Sequence, residues 1–268
     1  MRYSFQVERA LIGLDPTGPV VLAKSPGLSP SVEESLVDLT NRAGLDGGAA
    51  PALFAHPCGR RHVAVGRAAG RRVDALVWDR RTYRELGDPF QLSDAFPPAF
   101  AAADFETLTW PPEPLPARTA AGVAALLATN DGPLLLGGTQ ALLDGSRLLF
   151  APSADGEAVF RAVWQLLPGR SRGELWPSTR TTNPGLTFHA AASPGVPNDW
   201  PAGALAADQA RDYPEGRYEL ALQAAAEAGD QAELDRLFAR RSSADTLQLA
   251  VGLVVFALLA SAATRLVG

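Results

Sequence analysis

The chain has 268 residues, a formal net charge of −5, 47% hydrophobic residues and a single cysteine. Without its apolar C-terminal end roughly 200 residues remain, enough for a sizeable core in one large domain or two small ones. The negative balance gives no nucleic-acid footprint, and one cysteine excludes an intrachain disulfide, so nothing requires an oxidising compartment.

The first residues, Met1 to Arg9, have no apolar signal core and carry Glu8 and Arg9 early. A secretory signal is not expected, and the bulk of the chain is expected in the cytoplasm. Residues Arg2–Val7 alternate as a strand does, and Pro19–Ala23 is a short apolar run that could pair with it across the turn residues Gly13–Gly18. Ser29 or Ser31 can cap the next helix, which places Glu33 and Glu34 in its first turn, where the helix dipole favours them.

Ala52–Ala55, His62–Arg67 and Arg72–Trp78 read as three strands of an antiparallel meander, with turns at Gly59–Arg61 and Ala68–Gly70. Asp79–Leu86 is a short helix or turn, and Gly87-Asp-Pro-Phe90 and Phe96-Pro-Pro98 carry loop signals. The proline-dense Trp110–Pro116 is the best internal boundary. Beyond it Thr119–Ala128 reads as a helix and Pro133–Leu136 as a buried strand. Thr139–Leu143 begins a helix that stops at Asp144-Gly145, and Arg147–Phe150 is a strand. Gly156–Leu167 is an amphipathic helix, and Glu174–Trp176 and Leu186–Ala191 are strands. Helices alternating with strands in this way argue for an α/β or α+β second half. Glu215–Arg241 is a strong helix pattern, with Gly229-Asp230 as the place where it divides.

From Thr246 to Thr264 no charged residue occurs, and Leu, Val, Ala, Phe and Gly dominate. A helix needs about 20 apolar residues to cross a bilayer core. This run nearly meets that, and a snorkelling Arg265 would let Leu266 and Val267 extend it. Arg236, Arg240 and Arg241 precede the span and only Arg265 follows it, which puts the N-terminal side in the cytoplasm by the positive-inside rule. A buried core helix or a coiled-coil seam is the alternative, although neither is usually apolar on all faces.

The chemistry carried by motifs is sparse. The chain has no Walker-type phosphate loop, no Gly-x-Gly-x-x-Gly, no His-Glu-x-x-His and no Gly-x-Ser-x-Gly. Gly137-Gly138-Thr139, at an expected strand-to-helix turn, could bind an anion with backbone amides, or could simply be a tight turn. His56, Cys58, His62 and His189 invite a thiol or zinc reading, against a solvent-facing hairpin turn. The carboxylate pairs Asp74/Asp79, Glu85/Asp88 and Asp208/Asp212 would serve acid–base work only if they met in a cleft, and Asp88 reads better as a turn residue. The pairs Arg60-Arg61, Arg71-Arg72 and Arg80-Arg81 fall on turns and strand ends. They could form one basic edge toward an acidic partner or an anionic membrane, or remain scattered solvated arginines. Trp78, Trp110, Trp164, Trp176 and Phe188 read as core. No catalytic, cofactor-binding or metal residue and no cofactor is assigned.

The strings Ser25-Pro-Gly-Leu28, Gly87-Asp-Pro-Phe90 with Phe96-Pro-Pro98, and Leu134-Leu-Leu-Gly-Gly-Thr-Gln-Ala-Leu-Leu-Asp-Gly145 form a set with three others. Those are Trp164-Gln-Leu-Leu-Pro168, Glu174-Leu-Trp-Pro177 and Tyr213-Pro-Glu-Gly-Arg-Tyr-Glu-Leu220. Together they resemble an uncharacterised bacterial family of C-terminally membrane-anchored proteins. The resemblance covers most of the chain and implies no activity. The opening strands, the Ala23-Lys-Ser-Pro-Gly-Leu28 stretch and the pattern from Leu166 to Phe188 resemble, more weakly, bacterial GTPase-associated adaptor proteins. That likeness implies protein partners, GTPase-linked ones among them, and no catalytic residue.

The expectation is therefore an α+β protein with a mixed, largely antiparallel sheet head. It comprises an N-terminal subdomain (1–112), a second α/β subdomain (113–200), a helical juxtamembrane stalk (201–245) and a single transmembrane helix (246–267). Its expected role is a single-pass, tail-anchored scaffold or adaptor at the inner membrane, with its head in the cytoplasm recruiting protein partners. The alternative is an enzyme, a hydrolase or nucleotide-binding protein, with a divergent site around Gly137–Thr139.

Overall fold

Arg9 and Glu8, two charges that interrupt the alternation after Val7, do not end the first strand. Strand β1 runs over Tyr3–Asp15. The Arg9 guanidinium is 2% exposed and pairs with Asp74 at 2.5 Å, while Ser25 Oγ donates to Glu8 at 2.5 Å. With Arg9 held by a neighbouring strand and Glu8 by Ser25, just beyond the next one, the chain stays extended until the Pro16-Thr17 turn and returns as β2 (Gly18–Lys24). The strand is therefore about twice as long as its alternation predicts. The computed structural model describes residues 3–44, 51–94, 106–110, 118–151, 156–183, 188–193 and 202–240.

Helix α1 (Pro30–Ala43) follows, with Ser29 at its N-cap position but no side-chain cap bond, and Gly44 closes it at φ 54°. The expected meander is present as β3 (Ala52–Cys58), β4 (His62–Ala69) and β5 (Arg72–Asp79), all paired antiparallel. Helices α2 (Arg80–Leu86) and α3 (Pro89–Asp94) come next, then β6 (Glu106–Trp110), which pairs with the start of β1.

The second half contains α4 (Ala120–Leu127), α5 (Gly132–Leu143), β7 (Arg147–Phe150), α6 (Gly156–Leu166) and α7 (Gly169–Arg172). Three short strands, β8 (Pro177–Ser178), β9 (Ala190–Ala192) and β10 (Ala204–Leu205), precede α8 (Ala207–Arg211), α9 (Arg217–Ala228) and α10 (Gln231–Phe238).

The fold is α+β, with a sheet that is mostly antiparallel. Among the described residues its order is β10-β7-β9-β8-β3-β4-β5-β1-β2, with β6 added to β1. Strands β10, β7, β9 and β8 are parallel, and the single pair Phe54↔Ser178 joins them to the antiparallel part. Both halves of the chain thus supply strands to one sheet, and the two hydrophobic cores are its two faces. Phe54, Leu149 and Ala191 face one core with Leu36 and Leu39 of α1. Leu53, Leu148 and Ala190 face the other with residues of α5, α6 and α9. Burial on both sides explains why these strands read as unbroken apolar runs.

Three expectations need correction. Pro133–Leu136 is not a strand but the first turns of α5. A continuous apolar run has no period with which to tell the two apart, and α5 is buried on nearly all sides by its neighbours. Glu174–Trp176 is not a strand; the pairing begins at Pro177, and the expected strand Leu186–Ala191 is seen at Ala190–Ala192, with 184–187 outside the described residues. The expected stalk does divide at Gly229 (φ 68°) and Asp230, whose side chain accepts from Glu233 N. It does not stand clear of the head: Tyr218, Leu222, Ala225, Leu234 and Leu237 are buried in the second core.

No single helix among the described residues is long and apolar enough to cross a membrane. The expected span, 246–267, and the connector 111–116 lie outside the described residues.

Candidate functional site

Two of the three arginine pairs converge. Arg60 and Arg61 occupy the β3–β4 turn, which Gly59 permits at φ 73°. Arg80 and Arg81 open α2, and the Arg80 N–H donates to the Arg61 carbonyl at 2.7 Å, tying turn and helix together. Asp79 caps α2, accepting from Arg81 N at 2.9 Å and Thr82 N at 3.3 Å.

These segments form one side of a cleft of about 840 Å³. The other side comes from α7 and the residues after it, with Arg170, Arg172 and Glu174, and from Phe238 and Ala239 at the end of α10. Seven arginines (60, 61, 80, 81, 84, 170 and 172) face three carboxylates (Asp79, Glu85 and Glu174). Close backbone packing fixes the two sides. A Cβ on Gly173 would lie 2.7 Å from the Arg84 Cα, and one on Gly87 would lie 3.0 Å from the Gly169 carbonyl oxygen.

The cations differ in how they are held. Arg172 donates from Nη1 to Asp88 Oδ2 at 3.1 Å, and the Asp88 Oδ1 caps α3 through Phe90 N (3.1 Å) and Gln91 N (3.2 Å). Burial pulls the Arg172 guanidinium below its ordinary pKa, and the Asp88 charge opposes that pull. Arg84 pairs with Glu174 at 3.4 Å, and Arg81 with Glu85 at 3.7 Å on the exposed rim. Arg60, Arg61 and Arg80 have no carboxylate partner among the described residues. The Arg80 guanidinium lies 5.8 Å from the Trp176 ring centroid. Arg118 anchors the last wall: it donates to the carbonyls of Gln165 (3.2 Å) and Leu167 (2.7 Å) and lies 3.7 Å over the Phe238 ring.

No Ser, Thr, Cys, His or Lys lines the cleft among the described residues. Guanidinium groups stay charged and cannot act as bases near neutral pH. The arrangement suits holding an anion.

The other sequence candidates have structural roles. Asp74 holds Arg9, Asp79 and Asp88 are caps, and Glu85 meets Arg81, so these carboxylates do not pair with one another. Cys58 is buried and burial pushes its thiol up to about 12, so little thiolate forms at neutral pH. His189 Nδ1 accepts from Trp176 N at 3.1 Å, and His56 packs edge-on against Phe188 at 5.2 Å. No group of three His, Cys, Asp or Glu able to hold a metal occurs among the described residues.

Gly137-Gly138-Thr139 is neither an anion-binding turn nor a tight turn with positive φ. It lies inside α5, where the backbone N–H groups serve the helix, and a Cβ on Gly137 would lie 2.0 Å from the Ala210 carbonyl oxygen of α8. These glycines permit helix contact.

The third arginine pair lies elsewhere. Arg71 and Arg72 border a shallow groove beside β2, where Val20 and Leu22 are 46% and 54% exposed. Among the described residues β2 has a neighbouring strand on one side only. The arginine pairs were visible in the sequence. Arg170 and Arg172 were not singled out, although Gly169 and Gly173 around them were a signal of close backbone approach.

No protein-family model matches this chain, and no curated protein matches it.

Proposed function

We propose that this chain is a membrane-anchored adaptor whose head holds a protein partner at the inner membrane through the open edge of β2. The observation that carries the reading is that edge. Among the described residues no strand pairs with the outer side of β2, and Val20 and Leu22 on it are two of the few large hydrophobic side chains exposed. Natural sheets usually blunt such an edge with charge or cover it. Here Pro19 and Lys24 bracket it, and the apolar centre stays accessible.

An added strand from a partner would gain main-chain hydrogen bonds along β2 and seat alternate apolar side chains beside Val20 and Leu22. Arg71 and Arg72 at the rim favour acidic residues on that strand. The apolar, uncharged run Thr246–Thr264 supports the membrane tether.

Photocrosslinking from position 22 of the full chain in the membrane fraction tests this. A discrete adduct that disappears in Val20→Lys supports the reading. Adducts equally abundant in the variant, or none, contradict it.

A further inference from the structure

We propose that the arginine-lined cleft is a binding site for a phosphate-bearing ligand, distinct from the β2 edge. The argument begins with charge. Counting Asp88, which holds Arg172, the seven arginines around about 840 Å³ exceed the carboxylates by three. A single carboxylate leaves most of that excess in place. A phosphate ester or diphosphate brings two or more negative charges, and its oxygens accept paired N–H donors from several guanidinium forks at once.

Position adds a second argument. Arg61 and Arg80 come from different elements, are locked together by the 2.7 Å backbone hydrogen bond, and have no carboxylate partner among the described residues. Neighbouring Arg84 and Arg172 are already held by Glu174 and Asp88. The two cations are therefore presented from backbone that is tied together between the β3–β4 turn and α2. The Nε groups of Arg80 and Arg172 are buried with no hydrogen-bond acceptor. Keeping such cations close together in a partly buried site is costly, and an anion offsets that cost.

Size sets the ligand class. The cleft exceeds what inorganic phosphate fills and falls in the range of small-molecule sites, so the ligand carries an organic portion that can rest on Leu86 and Phe238. Two sources share this chemistry. One is a soluble phosphorylated metabolite. The other is a phospholipid headgroup: Ala239 lines the cleft, and residues 240–245 can reach roughly 20 Å before the expected span begins.

The test is titration of the full chain with inorganic pyrophosphate at about 0.15 M ionic strength. It is run in nanodiscs of neutral phosphatidylcholine and again in nanodiscs containing anionic phosphatidylglycerol. Saturable binding in neutral discs is expected, weakened roughly tenfold or more in Arg61→Ala/Arg80→Ala. Arg71→Ala/Arg72→Ala removes the same charge outside the cleft and should leave binding unchanged. Arg61→Ala alone, on an exposed turn, guards against a folding artefact, and melting temperatures are compared throughout. Weaker pyrophosphate binding in anionic discs identifies a lipid headgroup as the source, and unchanged binding identifies a soluble ligand. No binding, an equal loss in the Arg71/Arg72 variant, or equally tight binding of an unphosphorylated polyglutamate peptide overturns the proposal.

Discussion

Arg172 and Asp88 form an ion pair at 3.1 Å behind one wall of the cleft, with side chains only 13% and 4% exposed. The same carboxylate caps α3, so one buried group joins the start of that helix to α7. Asp88→Asn keeps the shape and removes the charge, leaving Arg172 nearly unpaired in a poorly solvated place. We predict a loss of about 3 kcal/mol in urea unfolding, the usual scale for breaking one side of a buried pair. A loss under about 0.5 kcal/mol would show that the pair does not hold the wall.

Gly137→Ala separates two accounts of the glycine-rich stretch. The structure brings α8 so close that an added Cβ would sit 2.0 Å from the Ala210 carbonyl oxygen. The substitution should lower stability by about 2 kcal/mol or more, because the helices must separate. If the glycine instead served an anion at a turn, stability would hold and only ligand binding would change. Thermal melting with and without pyrophosphate distinguishes the outcomes.

Cys58 should resist modification in the native protein. Its thiol is buried and its pKa is raised to about 12. Ellman's reagent at neutral pH is expected to react slowly until denaturant is added. Rapid native labelling would restore the thiol-chemistry reading.

Acidification should destabilise the fold. Burial first, then the Arg147 and His56 charges, lower His189 from 6.5 to about 4. Between those values the unfolded chain binds a proton that the folded chain does not. Stability is therefore full above about pH 6.5 and falls as pH drops toward 4. The loss is at most about 3 kcal/mol. His56, also lowered by burial, acts in the same direction. Because His189 Nδ1 accepts from Trp176 N, His189→Asn can keep the acceptor without titrating. Urea midpoints that are flatter in that variant between pH 7 and 5 would support the assignment; identical slopes would refute it.

What could be read from the sequence followed periodicity and punctuation. The meander β3–β4–β5 and the break at Gly229-Asp230 were legible because alternation and glycine act locally. The length of β1 was not, because Arg9 finds Asp74 far along the chain. Nor was α5, whose all-round burial erases its period. For the site, the pairs at Arg60 and Arg80 were visible as charge, but only the meeting of α2 with α7 and the end of α10 made them one cleft and left Arg71 and Arg72 out of it.

The adaptor account depends most on the tether. Alkaline carbonate extraction of membranes carrying the full chain tests it directly. The account predicts that the chain stays in the membrane pellet. Complete release into the supernatant would contradict it, and the apolar run from Thr246 to Thr264 would then have to be a core or assembly helix.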